Sequence, residues 1–261
     1  MIRQLWAYRG FIIGSVKRDQ QSKYSNSLLG AAWSVLNPVA MILVYTVIFA
    51  QVMRAKLPGL DTTFAYSIYL CAGVLTWGLF AEVVSRTTVM FVDNASILKK
   101  LSFPKLCLPA IVVSTAMVNF FIIFGLFTVF LIVSDNFPGW VFLAVVPLLI
   151  VQTLFAIGIG VTLSILNVFF RDVGQLLGIV IQFWFWLTPI VYPADILPKE
   201  IKPWIELNPM TIIMAGYQNI LVYAKPPSWE SLWPVCAVSI ALCSLGLYLV
   251  RAHSGEMVDE L

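Results

Sequence analysis

Seven stretches of this chain run without a charged side chain: residues 24–53, 62–81, 106–134, 136–170, 173–194, 207–224 and 231–250. Crossing the hydrocarbon core of a bilayer takes about 20 apolar residues, and only a helix satisfies its own peptide groups there. Six of the stretches reach that length and predict transmembrane helices. The remaining one, 207–224, contains Asn208, Pro209, Gln218 and Asn219 and follows the proline- and charge-rich LPKEIKPWIELNP. A re-entrant or interfacial helical hairpin fits it better than a seventh crossing. Composition agrees, since 60% hydrophobic and 11% charged residues lie outside the range of soluble domains.

The polar residues exclude several kinds of chemistry. There is one histidine, His253, and the four cysteines, Cys71, Cys107, Cys236 and Cys243, are scattered without a C-x-x-C pair. Neither a metal site nor a disulfide framework is indicated, and the cysteines read as small apolar fillers. No G-x-x-x-x-G-K-[ST] loop occurs, so work driven by ATP requires a partner that binds the nucleotide.

Basic residues orient the chain. With a cytoplasmic N-terminus and six crossings, the inner side receives Arg3, Arg9, Lys17, Arg18, Lys23, Arg86, Lys99, Lys100, Lys105, Arg171 and Arg251. The outer side receives only Arg54, Lys56, Lys199, Lys202 and Lys225. That bias predicts both termini on the cytoplasmic side. Residues 1–24 set Leu5, Trp6, Tyr8, Phe11, Ile12, Ile13 and Val16 on roughly one side of a helix, with Arg3, Lys17 and Arg18 on the other. They predict an amphipathic helix in the membrane interface, with a soluble arm packed on the protein as the alternative.

The most informative segment is 167–197. Arg171 and Asp172 predict a hinge at the membrane surface, followed by one membrane-crossing length. On a helix, Gln175, Gly178, Gln182, Phe185, Trp186, Pro189 and Pro193 share a face. A second stripe, Tyr66, Tyr69, Gly73, Thr76, Trp77, Phe80 and Thr87, lies on the second span. Two such faces suit a passage for sugars, whose rings stack on aromatics and whose hydroxyls need partners. The alternative is that the aromatics pack helices together. Glu82, with Arg86 four residues later, is either a structural ion pair or a substrate contact. In FVDNASILKKLSFPKLCLP the apolar Ile97, Leu98 and Leu101 beside Lys99 and Lys100 predict a docking helix, with a simple loop at the lipid surface as the alternative. The small residues Ala156, Gly160 and Ser164 allow the fourth span to approach another helix closely.

KYSNSLLGAAWSVLNP, ILKKLSFPKLCLP, NVFFRDVGQ, FWLTPIVYP and LNPM stand here in the order found in ABC-2-type polysaccharide exporter permeases, which the chain resembles over nearly its whole length. Permeases of O-antigen export are nearest, with those for capsule and teichoic acid as relatives. The resemblance implies an all-α membrane protein with six transmembrane helices. Residues 1–24 are its interfacial helix, 30–190 its first five spans with a coupling loop at 91–105, 194–224 a gate hairpin, 231–251 the sixth span and 252–261 a cytoplasmic tail. It implies a homodimer bound to two copies of an ABC ATP-binding subunit in a bacterial inner membrane, moving a lipid-linked polysaccharide. ATP and Mg belong to that partner, no cofactor or metal to this chain, and no catalytic residue or nucleic acid is involved. The roles implied are a sugar channel at Tyr66, Tyr69, Trp77, Phe80, Gln182, Phe185 and Trp186. ATPase coupling falls to Asn94, Ile97, Leu98, Lys99, Lys100, Leu101, Arg171 and Asp172, and the gate to Pro189, Tyr192, Pro193, Asn208 and Pro209. An ABC-2 exporter of drugs or lipids is the alternative within transport. A membrane-embedded glycan transferase is the alternative outside it, and Glu82, Asp172 and Asp195 are too far apart in sequence to favour it.

Overall fold

The computed structural model describes residues 6–23, 30–48, 57, 64–100, 104–253 and 255–260, and its elements are helices. They are α1 (Arg9–Lys23), α2 (Trp33–Tyr45), α3 (Ala65–Asp93), α4 (Ala95–Lys100), α5 (Cys107–Val133), α6 (Val145–Phe169), α7 (Asp172–Trp186), α8 (Lys202–Glu206), α9 (Pro209–Leu221), α10 (Trp229–Ala252) and α11 (Glu256–Glu260). Leu101 lies outside the described residues.

Among the described residues, four helices are long and apolar enough to cross a membrane: α3, α5, α6 with the 3-10 turn before it, and α10. The stretches expected as first and fifth crossings are shorter. The first is helical over Trp33–Ile48. The fifth, α7, has 15 residues, about 22 Å against about 30 Å of hydrocarbon. It stops at Trp186 instead of running on to Ala194 because Pro189 has no N–H to give and its ring would meet the carbonyl of Phe185. A proline also pushes the residue before it, Thr188, away from helical geometry. By contrast α3 runs beyond the end of its charge-free stretch, through Glu82 and Arg86 to Asp93, because both charges find partners there.

α3 sits at the centre, against α2, α5, α6, α7 and α9. The small residues of α6 set its closest approaches. A Cβ at Gly160 would stand 2.7 Å from the Thr87 Cβ of α3, and one at Gly158 would stand 2.7 Å from the Leu242 Cβ of α10. Any side chain at either position would push two helices apart. Gln152 of α6 adds a polar tie, its Nε2 donating to the Thr76 carbonyl of α3 at 2.6 Å.

Besides a minor group of Leu57, Ala65 and Tyr69, two apolar clusters result. The larger joins α3, α5, α6 and α9 around Phe80, Phe127, Leu148, Met214 and Tyr217. The smaller lies at the end of the bundle that carries Asn94 and Arg251, hereafter the basic end. It gathers Met90, Phe91, Leu108, Val112, Val161, Ile165, Val168, Val250 and Met257. α1 packs along α5 at this end with none of its residues fully buried. Its apolar side is divided: Phe11, Ile12 and Val16 are half-buried, while Trp6, Tyr8 and Ile13 are exposed. The helix is therefore a packed arm along one side, and its other side is uncovered within this chain.

Candidate functional site

The break after α7 frees carbonyls that have no helical partner, and the second-span tyrosines meet them. Tyr66 Oη donates to the Val191 carbonyl at 2.6 Å. Tyr69 Oη lies 2.9 Å from the Tyr192 carbonyl and 3.2 Å from that of Pro189. Gln218 Nε2 of α9 donates to the same Pro189 carbonyl at 2.9 Å, and Tyr192 Oη returns to the Trp186 carbonyl at 2.8 Å. Backbone carbonyls cut off from solvent need partners, and here three side chains from α3 and α9 supply them. Gly73 leaves room for the segment, since a Cβ there would stand 3.0 Å from Ile190 Cγ2.

A second knot joins α7 to α9. Asn208 caps α9 by accepting from the Met210 N–H at 3.0 Å, with Pro209 at the first turn, where its missing N–H costs nothing. The same Asn208 Oδ1 accepts from Trp184 Nε1 at 2.9 Å, and Asn208 Nδ2 donates to Thr188 Oγ1 at 3.0 Å. Thr188 Oγ1 in turn donates to the Trp184 carbonyl at 2.8 Å. One amide thus ties the end of α7, the irregular segment and the start of α9. Pro189, Tyr192, Asn208 and Pro209 are brought together here. Pro193 follows in extended geometry and leads into the turn Ala194–Ile196.

The expected channel residues separate into three groups. Tyr69, Trp77 and Phe80 are buried within the chain. Trp77 lies 5.2 Å from Phe80, 6.2 Å from Trp184 and 5.8 Å from Phe185, ring centre to ring centre, and Phe80 stacks on Phe155 at 5.9 Å. The residues of the second stripe lie on α3 and face α6, α7 and α9. Tyr66 and Phe185 are half-buried, whereas Gln182 and Trp186 are exposed on the outer side of α7. Of the described α7 residues only Leu177 and Ile181 are buried. Gln175, Leu176, Ile179, Val180, Phe183 and Leu187 are exposed with Gln182 and Trp186.

At the basic end, a polar cluster that the sequence reading saw only in part fastens α1 to the bundle. Arg86 pairs with Asp19 of α1 and, at 3.4 Å, with Glu82. Asn119 Nδ2 of α5 donates to Glu82 Oε1 at 2.9 Å, and Gln20 Nε2 of α1 donates to Asn119 Oδ1 at 2.7 Å. Glu82 therefore has structural partners on α3 and α5, and a cleft of about 360 Å³ lined by Asp19, Lys23, Glu82 and Arg86 opens beside it. Two signals in the sequence point to the missed members. Asp19 is the only acid before Asp61, and Asn119 is the only amide in the run 106–134.

Nearby, α4 follows α3 directly, with Asn94 Nδ2 donating to the Met90 carbonyl at 2.8 Å. Ile97 and Lys99 are exposed, and Leu98 packs onto the basic-end core. Arg171 and Asp172 are exposed at the start of α7, where a carboxylate complements the helix dipole. Asn167 holds this turn, its buried Oδ1 accepting from the Gly174 N–H at 2.8 Å.

Residues 12–222 match the family model described as ABC-2 type transporter. An O-antigen export system permease protein RfbA of Myxococcus xanthus is 31% identical over 263 residues, covering 100% of this chain and 99% of the relative. One of the same name from Klebsiella pneumoniae is 30% identical over 206 residues, covering 78% of this chain and 77% of the relative. The polysialic acid transport protein KpsM of Escherichia coli is 17% identical, with 93% of each chain covered. With one family model spanning most of its residues and a relative matched along its full length, the chain belongs to the ABC-2 type transporter family.

Proposed function

We propose that this chain is the channel-forming permease subunit of an ATP-driven exporter that carries a lipid-linked polysaccharide, O-antigen first among the candidates, out across a bacterial inner membrane. Relatives named for O-antigen export and polysialic acid transport support that substrate class. The subunit works as a homodimer with two copies of an ABC ATP-binding subunit, which holds ATP and Mg. Its termini lie in the cytoplasm and six helices cross the membrane. α2 and α7 are the two short crossings, and α8 with α9 forms a re-entrant gate from the far side.

The outer face of α7 carries the reading. An amide left in hydrocarbon costs several kcal/mol, so a membrane helix that exposes both Gln175 and Gln182 borders water or a second copy of the chain. Gln182, Phe185 and Trp186 therefore line the passage, where the indole and phenyl rings offer stacking surfaces and the amide offers hydrogen bonds to sugar hydroxyls. Tyr69, Trp77 and Phe80 stand behind that face and keep it in place. Movement of the ATPase enters through α4 and the Arg171 turn, travels along α7, and reaches α9 through the segment 187–193 and Asn208.

Membrane vesicles containing this chain and its ABC ATP-binding partner test the proposal. ATP-dependent translocation of the lipid-linked glycan, lost when either subunit is omitted, is the expected result. Translocation by the chain without any ATPase, or transfer of the glycan to an acceptor in place of movement, rejects it.

A further inference from the structure

The chain does not end with its last long helix. Beyond His253 lies α11, whose Met257 is only 1% exposed while Glu256 and Glu260 are exposed. The turn is hydrogen-bonded, the Met257 N–H donating to the His253 carbonyl at 3.0 Å. The His253 ring meets the Phe169 ring edge-on at 6.2 Å. Met257 thereby enters the basic-end core formed by α3, α5, α6 and α10, and Leu98 of α4 packs onto that same core. α11 lies against both α4 and α6.

This arrangement matters because α4 has little else to hold it. A helix of six residues is far below the length at which helices are stable by themselves, so its position depends on tertiary contacts. Leu98 faces the core, while Ile97, 37% exposed, and Lys99 face outward. A partner pressing on Ile97 would tilt an unsupported α4 before moving α3. With Met257 in the shared core, the load passes to α6 and α10 as well.

We propose that α11 is a strut, and that Met257 is a positioning residue that holds α4 rigid against the ATP-binding partner. The inference rests on the docking role of α4 proposed above. It assigns the C-terminal tail a part in coupling ATP hydrolysis to transport.

The test uses the full-length permease expressed with its ATPase, comparing wild type, Met257→Ala, Met257→Leu and Ile97→Asp. Membrane level, copurified ATPase, ATP hydrolysis and glycan export are measured for each. Met257→Ala should cut export about fivefold while membrane level, copurification and hydrolysis hold, and Met257→Leu should restore export. Unchanged export in Met257→Ala overturns the strut. So does a fall in membrane level that matches the loss of export, since Met257 would then be an ordinary core residue. Ile97→Asp separates the two ideas: it should abolish copurification if α4 docks the partner, whatever Met257 does. Intact copurification in Ile97→Asp removes the docking role itself.

Discussion

Tyr69→Phe isolates the hydroxyl that the sequence assigns to sugar and the structure assigns to backbone. The ring stays in place, 4% exposed against Leu57 and Ala65, so the change removes hydrogen bonding and little packing. Two carbonyls lose this donor, but Pro189 keeps Gln218 Nε2 at 2.9 Å, so the loss falls chiefly on Tyr192. An unsatisfied buried carbonyl costs about 1–3 kcal/mol, and Tyr192 is only half-buried, so about 1 kcal/mol is expected. In thermal unfolding of the detergent-purified complex that corresponds to a fall of about 3 °C. Adding Gln218→Leu leaves Pro189 without either donor, so the double variant should lose more than the two single variants summed. Both single variants should keep most of their export. Unchanged thermal stability together with lost export in Tyr69→Phe would refute the argument and return the hydroxyl to the substrate.

Further outcomes follow from the packing and from the polar cluster around Arg86. Trp77→Ala empties a site that is 6% exposed among Phe80, Trp184 and Phe185, and should cost about 3–5 kcal/mol and lower the amount of folded permease in the membrane. Trp186→Ala, at 59% exposed, should keep the permease level and lower export, as quantitative blotting beside a transport assay would show. Gly160→Val drives a side chain into Thr87 and should destabilise by at least about 1–3 kcal/mol in chemical unfolding, whereas Gly78→Ala, with nothing within 4 Å, should be neutral. Glu82→Gln should export near the wild-type level because Arg86 keeps Asp19 and Asn119 keeps an amide oxygen. Arg86→Met should release α1, seen as faster tryptic cleavage at Arg18 and Lys23.

The sequence reveals which stretches are apolar and long, because the cost of a charge in hydrocarbon is one-dimensional information. It is less informative about where helices end. Glu82 and Arg86 close the charge-free run at Ala81, yet α3 passes through them because Asp19 and Asn119, distant in sequence, neutralise and solvate the pair. Pro189 carries the opposite signal, which length alone outvoted: one missing N–H ends α7 at Trp186 inside an unbroken apolar run. Periodicity finds the Tyr66 to Thr87 stripe correctly. It cannot say what the stripe faces, and here that is the irregular segment and Gly160 of the same chain. The Asn208 knot is hidden, since LNPM served the sequence reading only as a family-like motif, and the bond of Asn208 to Trp184 is long-range and leaves no mark in the sequence.

The central claim is that the outer face of α7 borders a water-filled passage, and a single cysteine tests it most directly. Cys71 and Cys107 are buried, so Cys236→Ala and Cys243→Ala leave a quiet background for Gln182→Cys. Phe121→Cys on α5, 58% exposed and expected to face lipid, is the reference position. In the assembled complex with its ATPase, a membrane-impermeant thiol reagent should label Gln182→Cys much faster than Phe121→Cys, and lipid-linked glycan should slow that labelling. Equal, slow labelling at both positions, unaffected by glycan, would place α7 against lipid and contradict the account.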